Sequence, residues 1–419
     1  MKSRIIVIKL GTSSICNEES YEPLLSNLST IVETAVILRR QGHKVLIVSS
    51  GAIGIGLRRM DLHMRPKHLA TVQAIAAVGQ CRLIALWDEL FKQLRQPIAQ
   101  ILLTRNDIAD RTQYLNAANT ILELLRLGVV PIINENDTLS VSEIKFGDND
   151  TLSAIAAGMV NADYLFLMTD VDCLYDENPR VNPNAKPIHV VEEISELLID
   201  VSTSGSALGT GGMSTKLIAA ELATCAGVTT IISKSSVPGN ILKITRFLDL
   251  LEDTPELPLQ VEVPLHTRFL RKKNPVRDRH FWLLHGLTPH GTVFIDVGAF
   301  KALTRTDRAG LLPVGVVGVE GTFGAQVAVS LRVSDLTTLR GLKGADKFQS
   351  NEVGRALVNY SSWAIEKIRG RKSADIFTEL GYADSEYVAH RDNLAFFPQV
   401  SDGIIPHNRN DANAITSRT

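Results

Sequence analysis

Residues 5–13 read Ile-Ile-Val-Ile-Lys-Leu-Gly-Thr-Ser, an apolar run that carries one lysine and closes on small residues. A strand with almost no polar side chain is typical of a parallel sheet covered on both faces. Similar runs recur over the first 250 or so residues, separated by longer helical patterns. This alternation predicts an α/β fold, a three-layer αβα sandwich around a mostly parallel sheet. The predicted strands are Ile5–Leu10, Val45–Ser49, Ile98–Leu103, Val129–Ile133, Tyr164–Met168 and Val228–Ser233, and the predicted helices are Leu24–Gln41, Ala70–Phe91, Tyr114–Leu127, Leu152–Met159 and Thr215–Ala226.

The texture of the chain changes near Asp253, where a proline-rich stretch indicates a linker or an edge strand. Beyond it, short runs separated by glycines predict a small β-rich domain, followed by a helix over Ser350–Ile368. The short runs are Phe281–Leu284, Thr292–Val297, Val314–Val319 and Val327–Leu331. We therefore expect an α/β domain over residues 1–255, a linker over 256–275, a β-rich domain with its trailing helix over 276–397, and a polar, disordered tail over 398–419.

The composition gives no global reason to expect a nucleic acid or a membrane as the main partner. The net charge is -1 and 21% of the residues are charged. The four cysteines lie far apart, without the spacing of a zinc site or a redox motif. No signal-peptide core follows Met1, and no run approaches the roughly 20 apolar residues needed to cross a bilayer. We expect a cytoplasmic protein that does not associate with membranes.

Two predicted strand ends have features of a ligand site. Lys9 is costly in an apolar strand unless its charge meets a partner, and Gly11 lets the backbone approach a ligand closely. The alternative is a lysine whose ammonium reaches solvent at the strand end. At Ser50 and Gly51 a strand gives way to a helix, whose free N–H groups suit a carboxylate or phosphate. A plain serine N-cap would explain that second segment almost as well.

Two clusters of Asn and Asp follow one another closely, at 133–137 and 146–151. One ends a predicted buried strand and the other opens a helix. Their carboxylates suit an ammonium group, while amides and helix N–H groups suit a carboxylate, so together they can hold an amino acid. Turn chemistry and helix capping are the alternative explanation. The occurrence of two such clusters so close together favours a functional site.

The glycine-rich loop Leu208–Lys216 leads into a helix. Glycines free a backbone to wrap a phosphate, and Lys216 would add a point charge. The loop lacks the Gly-Lys-Ser/Thr ending of a Walker A motif and the third glycine of a dinucleotide fingerprint. A flexible surface loop is the alternative, so the segment is weak evidence by itself.

Taken in chain order, these segments resemble the amino acid kinase family and, within it, the fungal enzymes that phosphorylate glutamate. The match runs from Lys9 to about Phe397. The C-terminal part resembles a PUA domain, through Gly298–Leu303 and the run at 311–317. The segments in register with the family are Val48–Ala52, Ile133–Asp137, Gly147–Asp150, Leu167–Asp170 and Gly209–Lys216.

This resemblance implies a role for each matching residue. Lys9 and Lys216 would contact the phosphoryl group in transfer, and Asp150 would orient the two lysines. The implied glutamate-binding residues are Ser50, Gly51, Asn134, Asp137, Asp148 and Asn149. The implied ATP-binding residues are Lys9, Gly11, Thr169, Asp170, Thr210, Gly211, Gly212, Met213, Ser214, Thr215 and Lys216.

The resemblance also implies the chemistry and the partners. ATP would phosphorylate the side-chain carboxylate of glutamate, in the first step of proline synthesis, with Mg²⁺ arriving on ATP and no metal ligands from the protein. Inhibition by proline is expected, near the glutamate pocket and the 137–145 loop. The acyl phosphate product is prone to hydrolysis, so rapid transfer to a reductase is expected. We also expect a homo-oligomer, although the apolar helix Ala70–Phe91 is interpreted as core rather than as a subunit interface.

Two rival interpretations remain open at this point. The first is a kinase for a related acid such as aspartate or N-acetylglutamate, but an acylated amine would not favour the acidic partners Asp137 and Asp148, which indicate a free ammonium group. An RNA-binding protein built around the PUA-like domain would explain a basic run. Few aromatic residues interleave that run, which favours a solvated linker over RNA. The basic residues are Arg268, Arg271, Lys272, Lys273, Arg277 and Arg279.

Overall fold

The structure is a computed structural model, and the chain divides into two compact units, residues 1–275 and 276–419. The tail predicted at 398–419 lies outside the described residues. The structure describes residues 2–139, 149–179, 181–182, 184–194, 197, 212–253, 263–272, 275, 278–305, 309–334 and 352–397.

The first unit contains a mostly parallel sheet, and all six predicted strands are confirmed within it. The strands of the first unit are β1 Ile5–Leu10, β2 Lys44–Ser49, β3 Ile98–Leu103, β4 Val130–Glu135, β5 Tyr164–Thr169, β6 Leu174–Tyr175, β7 Pro187–Ile188, β8 Val190–Val191, β9 Thr229–Lys234 and β10 Thr267–Phe269. Over the described residues the sheet has eight strands in the order β3-β4-β2-β1-β5-β9-β10-β8, while β6 pairs with β7. Strand β10 runs antiparallel to β9. Residues 267–269, which the sequence analysis assigned to a linker, therefore belong to this sheet.

Helices cover both faces of the sheet, and the five predicted helices are confirmed with ends shifted by a few residues. The helices are α1 Thr12–Ile15, α2 Leu25–Arg40, α3 Ala52–Arg59, α4 Leu69–Gln93, α5 Arg105–Ala109, α6 Arg111–Arg126, α7 Asn149–Met159, α8 Met213–Cys225 and α9 Asn240–Asp253. The parallel strands put their carboxyl ends at one edge, which is where ligands bind in such sheets.

The central strand β1 separates an apolar layer from the side that carries the lysine. Ile6, Ile8 and Leu10 alternate along it and join one hydrophobic cluster with residues of α2, α4 and α9. Side chains of a strand point alternately to opposite faces, so Val7 and Lys9 lie on the other face. There Lys9 meets α7.

Helices α3 and α4 cross at two glycines. A Cβ on Gly79 would stand 1.7 Å from the carbonyl oxygen of Ala52, and one on Gly56 would stand 2.1 Å from that of Ile75. No side chain fits at either position, so the two backbones are in direct contact. The crossing fixes α4 against the start of α3, the segment that follows Ser50 and Gly51.

Helix α4 is long and apolar enough to meet the criteria for a membrane span, contrary to the expectation that no segment would. One such helix is weak evidence, because a core helix of a soluble protein meets the same criteria. Only 22% of the most apolar stretch of α4 is buried inside the structure. The interpretation of α4 as a core helix therefore holds for one face of the helix alone. The buried residues are Ile75, Ala76, Gly79, Leu83, Trp87 and Phe91.

The second unit contains a five-stranded sheet in the order β12-β11-β13-β14-β15 over the described residues. Its helical parts include a π-turn over Trp282–Gly286. The strands are β11 Thr292–Ile295, β12 Val316–Glu320, β13 Ala328–Val333, β14 Glu352–Leu357 and β15 Leu394–Phe396, and the helices are α10 Asp278–Phe281, α11 Val297–Leu303, α12 Ser362–Ile368 and α13 Ile376–Leu380.

Two expectations for this unit are wrong in part. The run Phe281–Leu284 is helical, where the sequence predicts a strand. The helix predicted over Ser350–Ile368 exists only from Ser362 onward, because 352–357 form strand β14. A Cβ on Gly354 would lie 2.3 Å from the carbonyl oxygen of Ala395, so glycine permits the close approach of β14 and β15.

Candidate active site

A buried charged centre lies where β1, α7 and α8 meet. Lys9 is the last but one residue of β1, Asp150 stands in the first turn of α7, and Lys216 stands in the first turn of α8. Lys9 Nζ pairs with Asp150 Oδ1, while Lys216 Nζ lies 3.3 Å from Oδ2. Thr215 Oγ1 donates to the same Oδ2 at 2.9 Å. The carboxylate is 0% exposed, and Lys9 and Lys216 are 4% and 7% exposed.

The electrostatics of the centre favour an ionised carboxylate between two cations. Burial opposes the charge of Asp150 and raises its pKa. Lys9 and Lys216 outweigh burial, and their charges with the hydrogen bond from Thr215 hold the pKa of Asp150 below its usual range. The two ammonium groups outnumber the one carboxylate, so the centre carries a net positive charge. Because all three side chains are buried, this charge has little contact with water. Such a centre attracts a polyphosphate and can stabilise charge on a phosphoryl group.

An amide cluster adjoins the charged centre, because Asn149 directly precedes Asp150. Asn149 Nδ2 donates to Ser50 Oγ at 2.8 Å and to Asn134 Oδ1 at 3.0 Å. Asn134, at the end of β4, is 2% exposed and donates to Gln80 Oε1 at 2.7 Å. The structure therefore joins the ends of β2 and β4 to the start of α7.

Gly51 and Asp137 are close in sequence to members of the amide cluster, since Gly51 follows Ser50 and Asp137 comes shortly after Asn134. Gly51 has φ of 101°, the left-handed region that favours glycine, and a Cβ there would lie 2.9 Å from Ile15. Asp137 follows β4 by two residues. Burial raises the pKa of Asp137 to about 6, Glu135 adds to the rise, and Arg65 opposes it. The carboxyl of Asp137 is therefore ionised at neutral pH and neutral in mild acid.

The predicted nucleotide residues follow neighbouring strands at the same edge. Thr169, at the end of β5, donates to Asp170 Oδ1 at 2.9 Å, and its carbonyl accepts from the backbone N–H of Ser235. A Cβ on Gly11 would be 3.8 Å from Lys9 Nζ, so Gly11 lies beside the charged centre. Gly212 is the N-cap of α8, whose first residues are Met213, Ser214, Thr215 and Lys216. Three predicted site residues, Asp148, Thr210 and Gly211, lie outside the described residues.

Sequence reasoning missed Gln80, which joins the amide cluster from α4. The available signal was a polar side chain in the apolar run Ala76-Ala77-Val78-Gly79-Gln80. From the helical pattern of polar and apolar residues alone, such a residue is assigned to the surface. Only the crossing of α3 and α4 places it beside Asn134.

The basic run proposed as an RNA site has internal partners in much of its length. Arg271 lies 3.6 Å from Glu252, and Lys272 pairs with Glu193. Arg279 donates to the backbone carbonyl of Asp392 at 2.9 Å. Arg268 lies within β10, and burial lowers its pKa. Lys273 and Arg277 lie outside the described residues.

A metal ion held by a protein requires several oxygen, nitrogen or sulfur ligands from neighbouring side chains. Among the described residues, no group of three or more His, Cys, Asp or Glu side chains could hold one. Asp150 already faces two ammonium groups, which does not suit a cation. The charged centre therefore does not suit a metal ion bound directly by Asp150.

The chain belongs to the amino acid kinase family, whose model matches residues 4–233. The PUA domain model matches residues 291–380 in the second unit. These matches agree with the parallel sheet and the separate β-rich sheet described above.

Within that family, the curated relatives include glutamate 5-kinases. A probable glutamate 5-kinase of Schizosaccharomyces pombe is 61% identical over 94% of this chain and 93% of its own length. A glutamate 5-kinase of a Cyanothece species is 47% identical over 94% of this chain and 99% of its own. An uncharacterized protein of Saccharomyces cerevisiae is 50% identical over 95% of this chain and 99% of its own.

Proposed function

We propose that this protein transfers the γ-phosphoryl group of ATP to the side-chain carboxylate of glutamate, which gives L-glutamyl 5-phosphate and ADP. The observation that carries the proposal is the buried centre of Lys9, Asp150 and Lys216 beside the amide cluster around Asn149. The names of the curated relatives support glutamate as the acceptor. The kinase family supports phosphoryl transfer.

The reaction requires charge neutralisation rather than a general base. A glutamate side chain has a reference pKa of about 4.3, so the nucleophile is already ionised near neutral pH. The difficulty is to bring this anion to a polyphosphate and to stabilise the charge that shifts during transfer. We assign that role to Lys9 and Lys216. Asp150 holds the two ammonium groups in place and does not accept a proton.

The amide cluster and Asp137 are proposed to bind the α-amino and α-carboxyl groups of glutamate. Asn149 and Ser50 supply hydrogen-bonding groups, and Asp137 supplies a negative charge for the free ammonium. A free ammonium distinguishes glutamate from N-acetylglutamate, whose acylated nitrogen carries no positive charge. Asp148 is proposed to assist, and it lies outside the described residues.

ATP is proposed to enter from the side of β5 and α8. Thr169 and Asp170 would contact the nucleotide, with Gly11 and the loop at 210–216 around the phosphates. Mg²⁺ would arrive as part of the substrate, bound by phosphate oxygens. It would add positive charge to that of the two lysines.

The setting of the reaction is also proposed from the family. Glutamyl 5-phosphate hydrolyses readily, so we propose that a reductase takes it up quickly, in the first step of proline synthesis in the cytoplasm. We propose inhibition by proline near the glutamate pocket, and a homo-oligomeric enzyme. The ion pairs of Arg271 and Lys272 reduce the support for RNA as a partner of the basic run.

The proposal is tested by ATP turnover of the purified protein with Mg²⁺ and one acid at a time. Glutamate, aspartate and N-acetylglutamate are compared at equal concentrations, and ADP is measured. The expected result is turnover with glutamate that greatly exceeds turnover with the other two. A preference for either other acid, or no turnover by folded protein with glutamate, would reject the proposal.

A further inference from the structure

Gln80 is a polar residue that links helix α4 to the amide cluster. Its Oε1 accepts a hydrogen bond from Asn134 Nδ2 at 2.7 Å. Asn134 is 2% exposed, so water cannot readily replace this acceptor. The contact is therefore a fixed part of the site rather than a surface hydrogen bond.

This contact sets the direction of a chain of hydrogen bonds. Asn134 Nδ2 is directed to Gln80. Asn134 Oδ1 therefore faces the other way, and it accepts from the backbone N–H of Glu135 at 2.9 Å and from Asn149 Nδ2 at 3.0 Å. Asn149 Nδ2 also donates to Ser50 Oγ at 2.8 Å. The amide of Asn134 is therefore oriented by Gln80 together with the backbone N–H of Glu135, and the amide of Asn149 is oriented by Asn134 and Ser50.

This series of hydrogen bonds ends on an acceptor without a hydrogen-bond partner in the part of the protein that the structure describes. Asn149 Oδ1 is buried and makes no hydrogen bond with the described residues. A buried acceptor without a partner is costly, so it indicates a ligand that donates. The ammonium group of an amino acid is such a donor, and it forms a stronger hydrogen bond than a neutral donor does.

The backbone gives Gln80 little freedom to move away. The preceding residue, Gly79, lies at the crossing with α3, where its Cβ position is 1.7 Å from the carbonyl oxygen of Ala52. Helix α3 follows Ser50 and Gly51, which belong to the same site. The helix crossing therefore holds Gln80 at a fixed distance from the residues that it orients.

We propose that Gln80 is a positioning residue that orients the amides of Asn134 and Asn149, so that Asn149 Oδ1 faces the ammonium group of the substrate. This inference rests on the proposed function, because it assumes an amino acid at this site. Gln80 acts through Asn134 and contacts neither ATP nor the charged centre. Its loss would weaken recognition of the acceptor substrate and leave the nucleotide side unchanged.

The test compares Gln80→Met, which keeps the length of the side chain without the acceptor, with Gln80→Glu, which keeps an acceptor oxygen. Loss of one buried hydrogen bond of about 1.4 kcal/mol corresponds to about a tenfold change. We expect Gln80→Met to raise the KM for glutamate about tenfold and to leave the KM for ATP unchanged. We expect Gln80→Glu to stay within about threefold of the wild type.

Controls separate positioning from a general loss of structure. Gln93→Met makes the same change at an exposed site on the same helix and should leave both KM values unchanged. Gln80→Ala, which favours the helix, is the second variant if Gln80→Met folds poorly. Circular dichroism and the melting temperature are measured for every variant.

A second substrate, glutarate, gives a measurement that would not change if Gln80 had only a structural role. Glutarate has both carboxylates of glutamate and no ammonium group, so the preference for glutamate over glutarate, as a ratio of kcat/KM, reports recognition of that group. We expect this ratio to fall in Gln80→Met and to be retained in Gln80→Glu.

The inference is overturned if Gln80→Met keeps the glutamate KM of the wild type, raises both KM values together, or keeps the preference over glutarate. In each of those cases wild-type turnover of glutamate would leave the proposed function standing. A wild-type protein that does not phosphorylate glutamate would remove the proposed function and this inference with it.

Discussion

Asp137→Asn is expected to make the ligand-free protein more stable while it weakens glutamate binding. Burial raises the pKa of Asp137 to about 6 from an ordinary value of 3.8, with Glu135 adding to the rise and Arg65 opposing it. An acid with a raised pKa in the folded state destabilises the fold once it is ionised. At 1.36 kcal/mol per pKa unit the cost is about 3 kcal/mol at most, and about 1–3 kcal/mol once solvent around a partly buried side chain is considered.

The sign and the pH range of this effect follow from the same two values. Below about pH 3.8 Asp137 is protonated in both the folded and the unfolded state, and the cost is absent. The cost develops as the pH rises from about 4 to 6, and it is complete above that range. At pH 5 it is roughly half of its value at pH 8. A neutral asparagine removes the cost, so its benefit is larger at pH 8.

The assay is the melting temperature of the ligand-free proteins at pH 8 and pH 5. The variant should melt about 2–6 °C above the wild type at pH 8, and the gain should be about half as large at pH 5. Asp88→Asn, at an exposed position on α4, should change neither value. The same Asp137→Asn variant should show a glutamate KM that rises much more than the ATP KM. An equal gain at both pH values, or no gain at pH 8, would refute the reasoning.

Three further changes test the charged centre and the helix crossing. Lys216→Ala should lower kcat by about 10³-fold with an unchanged circular dichroism spectrum, and a kcat within a few-fold of the wild type would contradict its role. Asp150→Asn leaves two buried ammonium groups without their carboxylate and should lower the free energy of unfolding by about 3–5 kcal/mol in urea titrations; a loss below about 1 kcal/mol would contradict the ion-pair assignment. Gly79→Ala should destabilise the protein by about 1–3 kcal/mol or more, because its Cβ would stand 1.7 Å from the Ala52 carbonyl oxygen. Gly239→Ala, with nothing within 4 Å of its Cβ position, is the matched control, and equal melting temperatures of the two variants would contradict the close crossing.

Much of the first unit could be predicted from the sequence because its strands are buried on both faces. Every residue of β5, Tyr164–Thr169, is buried, and such runs stand out from the helical patterns around them. Lys9 was notable for the same reason, since one charge in an apolar strand requires a partner. The identity of that partner, Asp150, was implied only by the family resemblance.

The second unit was harder because its signals are short. Phe281–Leu284 is a four-residue apolar run, too short for a helical period to appear, and such a run reads equally as strand. Glu352–Leu357 contains helix-forming Glu, Arg, Ala and Leu, yet pairing with β13 and β15 makes it a strand. Tertiary contacts decided both segments, and sequence patterns do not contain them.

Gln80 and Thr267–Phe269 show the same limit in the first unit. Gln80 belongs to the site only because glycines at 56 and 79 let α3 and α4 touch. Thr267–Phe269 follows a proline-rich stretch, and its place beside β9 depends on a long-range pairing. Where the place of a residue depends on contacts between elements that are distant in sequence, the local sequence gives only a weak signal of it.

The most direct test of the central claim is to trap the product of the reaction with hydroxylamine. An acyl phosphate reacts with hydroxylamine to give a hydroxamate, whereas ATP hydrolysis alone does not. We predict that the purified protein, with ATP, Mg²⁺ and glutamate, forms glutamyl hydroxamate in proportion to the ADP released. ADP release without hydroxamate, or no reaction with glutamate by folded protein, would contradict the assignment of a glutamate side-chain kinase.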